Sequence, residues 1–383
     1  MSIDNSPVIF NEITTQNGFK IGHATLAKTA ALNALDLPMI ELLTPQLLKW
    51  QADPLVAMVI LDGQGDRAFC AGGDIVTMYK SMTEVAKPSD TAVKELALQE
   101  FFSKEYNLDY LIHTYAKPIL VWGNGIVMGG GLGLMSGASH RIVTETSRLA
   151  MPEISIGLYP DVGGSYFLNK MPTGCGLFLG LTGASINATD ALYVNLADYF
   201  VPTEAHSILL DKLIAANWRS DNLAETLTMI CAEIQQKHGA ELPQGNLEAL
   251  QPWLDELAAK DELTQTVDFI FAADSENNKW LSKAQKTLKA GSPISAQLVY
   301  EQLKRGKALS LAECFQMELG LSCHCGEFGE FQEGVRALLI DKDYQPNWRF
   351  KTVADVPAST IEFFFNEIWT DETHPLADLS HSQ

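Results

Sequence analysis

The sequence predicts an α/β fold in two parts: a core, residues 1–201, whose short buried strands end in glycine turns, and a helical region, residues 202–383. Three observations carry this. Residues 67–75 and 119–138 each read as an apolar strand, a glycine turn and a helix start. Beyond Pro202 glycine becomes sparser and apolar residues recur at helical spacing. With 383 residues and 46% hydrophobic content, there is enough apolar material for a sizeable core.

Residues 8–10 and 19–26 predict strands joined by the hairpin signal Asn17-Gly18. Residues 37–50 place Met39, Ile40, Leu42, Leu43, Leu47 and Leu48 on one helical face. Residues 55–61 are continuously apolar, as expected of a parallel strand buried on both faces. A helix is expected over 90–116, another over 166–170, a turn at 179–183, a short helix at 187–194 and a last strand-like segment at 196–201. The C-terminal helices are expected over 208–218, 223–238, 247–260, 264–273, 280–290, 292–305 and 311–321. Pro243-Gln244-Gly245-Asn246 reads as a loop rather than a domain linker, and the last residues, 378–383, are expected to be mobile.

The net charge of −20 argues against nucleic acid as a partner, since a binding face needs clustered Lys and Arg. No run of about 18 apolar residues spans a membrane. The opening MSIDNSPVIF has neither the basic and apolar regions of a signal peptide nor the Arg-rich character of a transit peptide. Six cysteines scattered through a long chain fit a reducing compartment. A cytoplasmic protein is therefore expected. Cys323-His324-Cys325 looks like a metal fragment but lacks a second paired cluster, so it reads as ordinary thiols.

The candidate chemistry is concentrated in residues 122–161. Gly129, Gly130 and Gly131 have no Cβ, so a bound group can approach the main chain and N–H groups can point at an oxygen. The helix start that follows adds unpaired donors and partial positive charge. Gly73, in the second glycine turn, is the candidate for another donor, because holding one developing oxyanion takes two convergent donors. Glu153 follows Met151-Pro152, and Asp161 follows Tyr159-Pro160, so both acids lie in an irregular segment. Paired acids beside an oxyanion site suggest general acid–base chemistry on a carbonyl compound. The plainer reading makes Glu153 a helix cap and Asp161 a turn residue. From pattern alone Glu105 reads as a solvated charge on a helix face.

Phe69-Cys70-Ala71-Gly72-Gly73-Asp74-Ile75, then Asn124-Gly125 with Met128 to Gly131, resembles the crotonase (enoyl-CoA hydratase/isomerase) superfamily. Leu32-Asn33-Ala34-Leu35 and Leu181-Thr182-Gly183 with Asp190-Ala191 fit the same superfamily. A closer set is similar to the family of 3-hydroxyisobutyryl-CoA hydrolases: Phe101-Phe102-Ser103-Lys104-Glu105-Tyr106, Ala150-Met151-Pro152-Glu153, Pro160-Asp161-Val162-Gly163-Gly164, Glu333-Gly334-Val335-Arg336-Ala337 and Ile340-Asp341-Lys342-Asp343.

The resemblance implies a crotonase-like spiral of repeated ββα units with a C-terminal helical extension, binding an acyl-CoA. It assigns thioester-oxygen binding to the N–H groups of Gly73 and Gly130, catalysis to Glu153 with Asp161, and substrate contact to Glu105. It implies hydrolysis of a short 3-hydroxyacyl-CoA in valine breakdown, with Glu153 as general base or as nucleophile. Family hydratases carry their first catalytic glutamate where this chain has Gly133, which puts hydration in doubt. Arg67 and Lys28, with Lys342 as a third, are candidates for the CoA phosphates. No metal or redox cofactor is implied, CoA being part of the substrate, and a homo-oligomer is compatible with the family. A hydratase or isomerase, or a non-catalytic acyl-CoA-binding protein, stand as alternatives.

Overall fold

The computed structural model of the chain describes residues 6–83 and 91–381. Its strands are β1 (Val8–Thr14), β2 (Lys20–Leu26), β3 (Val56–Gly63), β4 (Ala68–Cys70), β5 (Ile119–Gly123), β6 (Ile126–Met128), β7 (His140–Val143), β8 (Arg148–Ala150) and β9 (Tyr199–Phe200). The helices run α1 (Leu37–Ala52), α2 (Ile75–Thr83), α3 (Thr91–His113), α4 (Gly130–Ser136), α5 (Gly164–Phe167), α6 (Cys175–Thr182) and α7 (Ala188–Tyr193). They continue as α8 (His206–Ala215), α9 (Leu223–His238), α10 (Gln251–Ala258), α11 (Leu263–Ala272) and α12 (Lys279–Ala290). The last are α13 (Pro293–Gly306), α14 (Leu311–Phe328), α15 (Glu330–Val335) and α16 (Ala358–Phe364). None of the described helices is long and apolar enough to cross a membrane.

The chain folds into two compact units, each drawn from three segments. The first takes Met1–Gly73, Leu108–Leu149 and Ile186–Gly245; the second takes Asp74–Asn107, Ala150–Ser185 and Asn246–Gln383. The division read from the sequence, at residue 201, follows chain order, whereas the units follow apolar faces. Helices α8 and α9 bury Leu209, Leu213, Leu227, Cys231 and Ile234 with Met58, Ile60, Leu120 and Ile142 of the strands, so they belong to the first unit. The later unit boundary falls at Gly245–Asn246, within the stretch read as a plain loop.

In the first unit a six-stranded sheet runs β1-β2-β3-β5-β7-β9 and a three-stranded sheet runs β4-β6-β8. Strand β3 is apolar nearly throughout because it is hydrogen-bonded in parallel on both sides, to β2 and β5. Helix α1 starts at Asp36, whose side chain accepts from Met39 N, and carries Pro38 in its first turn. It seats Trp50 against β2 where only Gly22 fits: a Cβ there would stand 2.6 Å from the indole ring.

The strands come in consecutive pairs, β3–β4, β5–β6 and β7–β8. Each pair sends its first member to the large sheet and its second to the small one. With the helices that follow, this is the spiral of ββα units that the family resemblance implies. The sequence reading runs the apolar stretch 119–122 straight into the glycine triplet. The structure instead ends β5 at Gly123 and inserts β6. The chain changes sheets at Gly125, which has φ +61 and whose Cβ would meet Arg67 O at 2.3 Å. That bend hides from a periodicity argument, because both strands are short and apolar.

In the second unit α6 is buried along nearly its whole length and packs with α10, α12 and α13. Helix α14 packs with α5, α15 and α16. Its capping box at Ser310 and Glu313 defines its start. It runs to Phe328, past the expected end at 321, and stops at Gly329 with φ +100.

Candidate active site

The two glycine turns lie in the first unit. They follow β4 and β6, which are hydrogen-bonded in parallel, so both turns leave the same end of the three-stranded sheet. The first is braced by the 32–35 motif. Leu32 and Asn33 take left-handed conformations, φ 53 and φ 56, and Asn33 Nδ2 donates to Ala68 O at 2.9 Å. Ala71 N donates to Leu32 O and Leu35 N to Gly72 O, which leaves half-buried Gly73 as the last residue of the turn. In the second turn Gly129, φ 49, reverses the chain, and Gly130 opens α4. The first N–H groups of a helix have no acceptor within it, so the Gly130 N–H is available to a bound oxygen. A Cβ on Gly131 would stand 2.3 Å from Cys70 O, so the two turns can lie this close only with glycine there.

The carboxylates lie in the second unit, and the structure brings three of them together. Glu153 opens a single 3₁₀ turn, Glu153–Ile156, after Pro152. That turn is wedged onto α15: a Cβ on Gly334 would lie 2.3 Å from the Ile156 carbonyl carbon. Glu105, on α3, is 2% exposed, Glu153 5% and Asp161 4%. The expectation of a solvated Glu105, drawn from helical pattern, is therefore corrected. A helix inside a protein can turn a charge inward, and sequence spacing does not reveal it.

Burial raises all three carboxyls. Glu105 is raised well above the usual range by desolvation and then by the charge of Asp161. Glu153 is raised by desolvation, then by Asp161, with a smaller push from Glu105. Asp161 is raised to about 6 by burial, opposed by a hydrogen bond from the Tyr106 hydroxyl, which donates to Oδ2 at 2.8 Å. Glu153 Oε2 is buried and has no hydrogen-bond partner among the described residues. A buried acceptor left unmatched is costly, which makes it a natural place for a water or a substrate group. A weakly acidic carboxyl in this setting can take up and return a proton near neutral pH.

The basic candidates stand differently. Lys28 is paired with Asp36 at 2.7 Å. Arg67 and Lys342 are exposed, Lys342 with φ 55. Cys323, His324 and Cys325 lie within α14, with Cys325 buried. The His324 ring faces Glu327 Oε2 at 3.3 Å and Asn366 O at 3.0 Å. Among the described residues the grouping with metal-ligand spacing is Glu204, His238 and Glu241, two of them exposed. Sequence reasoning missed Tyr106, which it quoted only within a motif, and the α14 residues Glu318 and Ser322. Glu318 and Ser322 are spaced four apart, so they share a helix face, but nothing in the spacing marks that face as buried.

Comparison with known proteins bears on this arrangement. A model of the enoyl-CoA hydratase/isomerase family matches residues 21–365. The 3-hydroxyisobutyryl-CoA hydrolase, mitochondrial, of Danio rerio is 37% identical over 368 residues, covering 94% of this chain and 90% of that protein. Its namesake in Dictyostelium discoideum is 34% identical over 349 residues, covering 90% and 88%. Among solved structures, an enoyl-CoA hydratase from Rhodobacter sphaeroides superposes with a TM-score of 0.79 at 32% identity, covering 95% of this chain and 98% of its own. A carnitinyl-CoA dehydratase from Mycobacterium thermoresistibile gives 0.81 at 31%, covering 95% and 97%. The fold is thus the crotonase fold, and the chain belongs to the enoyl-CoA hydratase/isomerase family, in the branch that holds the 3-hydroxyisobutyryl-CoA hydrolases.

Proposed function

We propose that the chain is an acyl-CoA thioester hydrolase that converts a short 3-hydroxyacyl-CoA, first of all 3-hydroxyisobutyryl-CoA, to the free 3-hydroxy acid and CoA. The observation that carries this reading is Glu153: enclosed, raised by burial and neighbouring charge, and with one oxygen unmatched. The names of the relatives in Danio rerio and Dictyostelium discoideum support the same reaction.

In this reading the N–H groups of Gly73 and Gly130 form an oxyanion hole for the thioester oxygen. One such donor is typically worth about 3–4 kcal/mol in the transition state. Glu153 takes a proton from water as the water oxygen bonds to the carbonyl carbon. The C–S bond then breaks, and the proton passes from Glu153 to the departing sulfur. Attack by Glu153 itself, giving a mixed anhydride that water opens, uses the same residues. Asp161 accepts a hydrogen bond from the 3-hydroxyl, and Glu105 lines the same pocket. Arg67 and Lys28, with Lys342, are the proposed phosphate contacts; Lys28 would have to share its charge with Asp36.

The reading also takes residues 1–201 as the acyl-CoA-binding core and 202–383 as its helical extension. It needs no metal or redox cofactor, and it includes a homo-oligomer. It places the reaction in valine breakdown in the cytoplasm, and six cysteines scattered through a long chain support a reducing compartment. Gly133, within α4, offers no carboxylate for the two-glutamate hydration that the family hydratases perform.

The test is release of CoA thiol from 3-hydroxyisobutyryl-CoA, followed with a thiol-reactive dye, with Glu153→Gln measured alongside. Rapid release that the substitution abolishes is expected. Turnover of crotonyl-CoA without thiol release would replace this reading with hydration.

A further inference from the structure

The segment after Tyr159 is held more tightly than an exposed turn needs. Val162 has φ 51, a left-handed conformation that is a genuine outlier for a β-branched residue. Gly163 follows with φ +87. Such strain persists only when the surroundings over-determine it. Here they do. Gly163 N donates to Glu318 Oε2 and Ser165 N donates to Glu318 Oε1, both at 2.8 Å. On the other side of Asp161, Gln302 Nε2 donates to Pro160 O at 2.8 Å. Glu318 is fully buried, and burial pushes its carboxyl up to about 8 against the pull of the two amides.

One turn further along α14, Ser322 meets two tyrosine hydroxyls, that of Tyr106 at 2.7 Å and that of Tyr159 at 2.8 Å. The proton inventory fixes much of the chain. Tyr106 donates to Asp161 Oδ2, and Tyr159 donates to the main-chain oxygen of Glu318 at 2.6 Å. Each tyrosine has one hydroxyl proton, so Ser322 must donate to one of them. When Tyr106 receives that bond, its own O–H is polarised towards Asp161.

We propose that Glu318 and Ser322 are positioning residues for Asp161, Glu318 by fixing the main chain that follows it and Ser322 by orienting the Tyr106 hydroxyl that binds its carboxylate. The proposal rests on the hydrolase reading, in which Asp161 recognises the substrate 3-hydroxyl. Both positioning residues reach Asp161 through other groups and touch no substrate.

The test compares wild type with Glu318→Gln, Ser322→Ala, Tyr106→Phe and Asp161→Asn. Each is assayed with 3-hydroxyisobutyryl-CoA and with isobutyryl-CoA, which lacks the hydroxyl. Both oxygens of the Glu318 carboxyl accept an amide, whereas the amide nitrogen of a glutamine cannot accept, so one main-chain N–H loses its partner. A misplacement of a recognition group by about 1 Å costs about 100-fold in kcat/KM. The expected result is that loss for the hydroxylated substrate, with little loss for isobutyryl-CoA, so the preference collapses towards that of Asp161→Asn. Ser322→Ala should act in the same direction by about fivefold, the value of one neutral hydrogen bond. Equal losses on both substrates, or an unchanged preference, would overturn the proposal.

A second readout does not depend on turnover. The ¹³C-carboxyl resonance of Asp161 is identified by its loss in Asp161→Asn and then titrated. Tyr106→Phe and Ser322→Ala should move its midpoint upward, because a hydrogen bond to the charged form is lost or weakened. Tyr106, Tyr159, Glu105, Glu153, Glu318 and Cys325 all feel the charge of Asp161 and are the same in the Ser322→Ala comparison. An inactive wild type would refute the hydrolase reading alone; an unmoved midpoint would refute the positioning role. If Glu318→Gln fails to fold, Ser322→Ala decides.

Discussion

The amides proposed as oxyanion donors lie in the first unit and the carboxyls proposed for proton transfer lie in the second, and each set is controlled by different residues. An amide N–H does not titrate. Its direction is set by where the backbone can run, so the residues that govern Gly73 and Gly130 are neighbours such as Asn33, Gly129 and Gly131. In the second unit the proposed reacting groups are carboxyls whose acidity is set by enclosure and by one another, so their governors are Tyr106, Ser322 and Glu318. Substitutions in the first unit should therefore damage geometry and leave pH profiles in place, whereas substitutions in the second should move pH profiles and can spare stability.

The largest effect expected from this contrast is at Glu153. Glu153→Gln should lower kcat by roughly 100- to 10,000-fold, the range for removing a general base. It should not lower the melting temperature, because an enclosed acid with an unmatched oxygen is replaced by a neutral group. A calorimetric scan with a clearly lower Tm would mean that Glu153 is structural. Next is Gly131→Ala in the first unit. Its methyl meets Cys70 O at 2.3 Å, so the chain must shift, at about 1–3 kcal/mol in denaturant unfolding. The residual activity should keep the wild-type pH profile; a moved limb would break the contrast.

The pH dependence of stability is the third. Glu105, Glu153, Asp161 and Glu318 all have raised folded-state values, Asp161 about 6 and Glu318 about 8. The folded chain therefore binds more protons than the unfolded one between the ordinary carboxylate range and those values. This stabilisation is fully present below the unfolded value and is lost as pH rises through the folded values. His113 is lowered to about 4 by burial and acts in the opposite sense, but only below its ordinary value of 6.5. Between about pH 6.5 and 8 unfolding free energy should thus fall as pH rises, by about 1.4 kcal/mol per pH unit for each proton that differs. Flat or rising stability there, measured by urea titration, would show that these groups are not raised. The smallest effect is expected at Arg336, whose guanidinium meets Glu333, Asp341 and Asp343 at the surface. Arg336→Ala should lower Tm slightly, and less so in high salt, because exposed pairs are screened.

Much of this was legible in the chain. Strand β3, helix α9 and the helices from α11 to α13 lie close to where hydrophobic spacing puts them, because each buries a single apolar face or run. The glycine turns were legible because their geometry demands residues without a Cβ. The C-terminal motif around Gly334 and Arg336 was recognised by resemblance. Its physical content, a seat for the Glu153 turn at Gly334 and a clasp at Arg336, appears only with coordinates. Glu105, Glu318 and Ser322 were opaque for one reason: a polar residue on a helix carries no local sign of which face is covered, and long-range packing decides it. The sheet change at Gly125 and the unit boundary at Gly245 were opaque because both depend on which distant face each segment buries.

The cysteines have a practical consequence. Cys70, Cys175, Cys231, Cys314 and Cys325 are buried. Burial pushes the Cys231 and Cys314 thiols up to about 12 and raises Cys325 well above the ordinary thiol range. The thiolate is the form that attacks a reagent, so these sulfurs are nearly inert to alkylation and to oxidants while the chain is folded. Half-buried Cys323 is the most accessible of the six. A single label can therefore be placed on α14, one residue from Ser322, without engineering a cysteine into the chain or removing one from it.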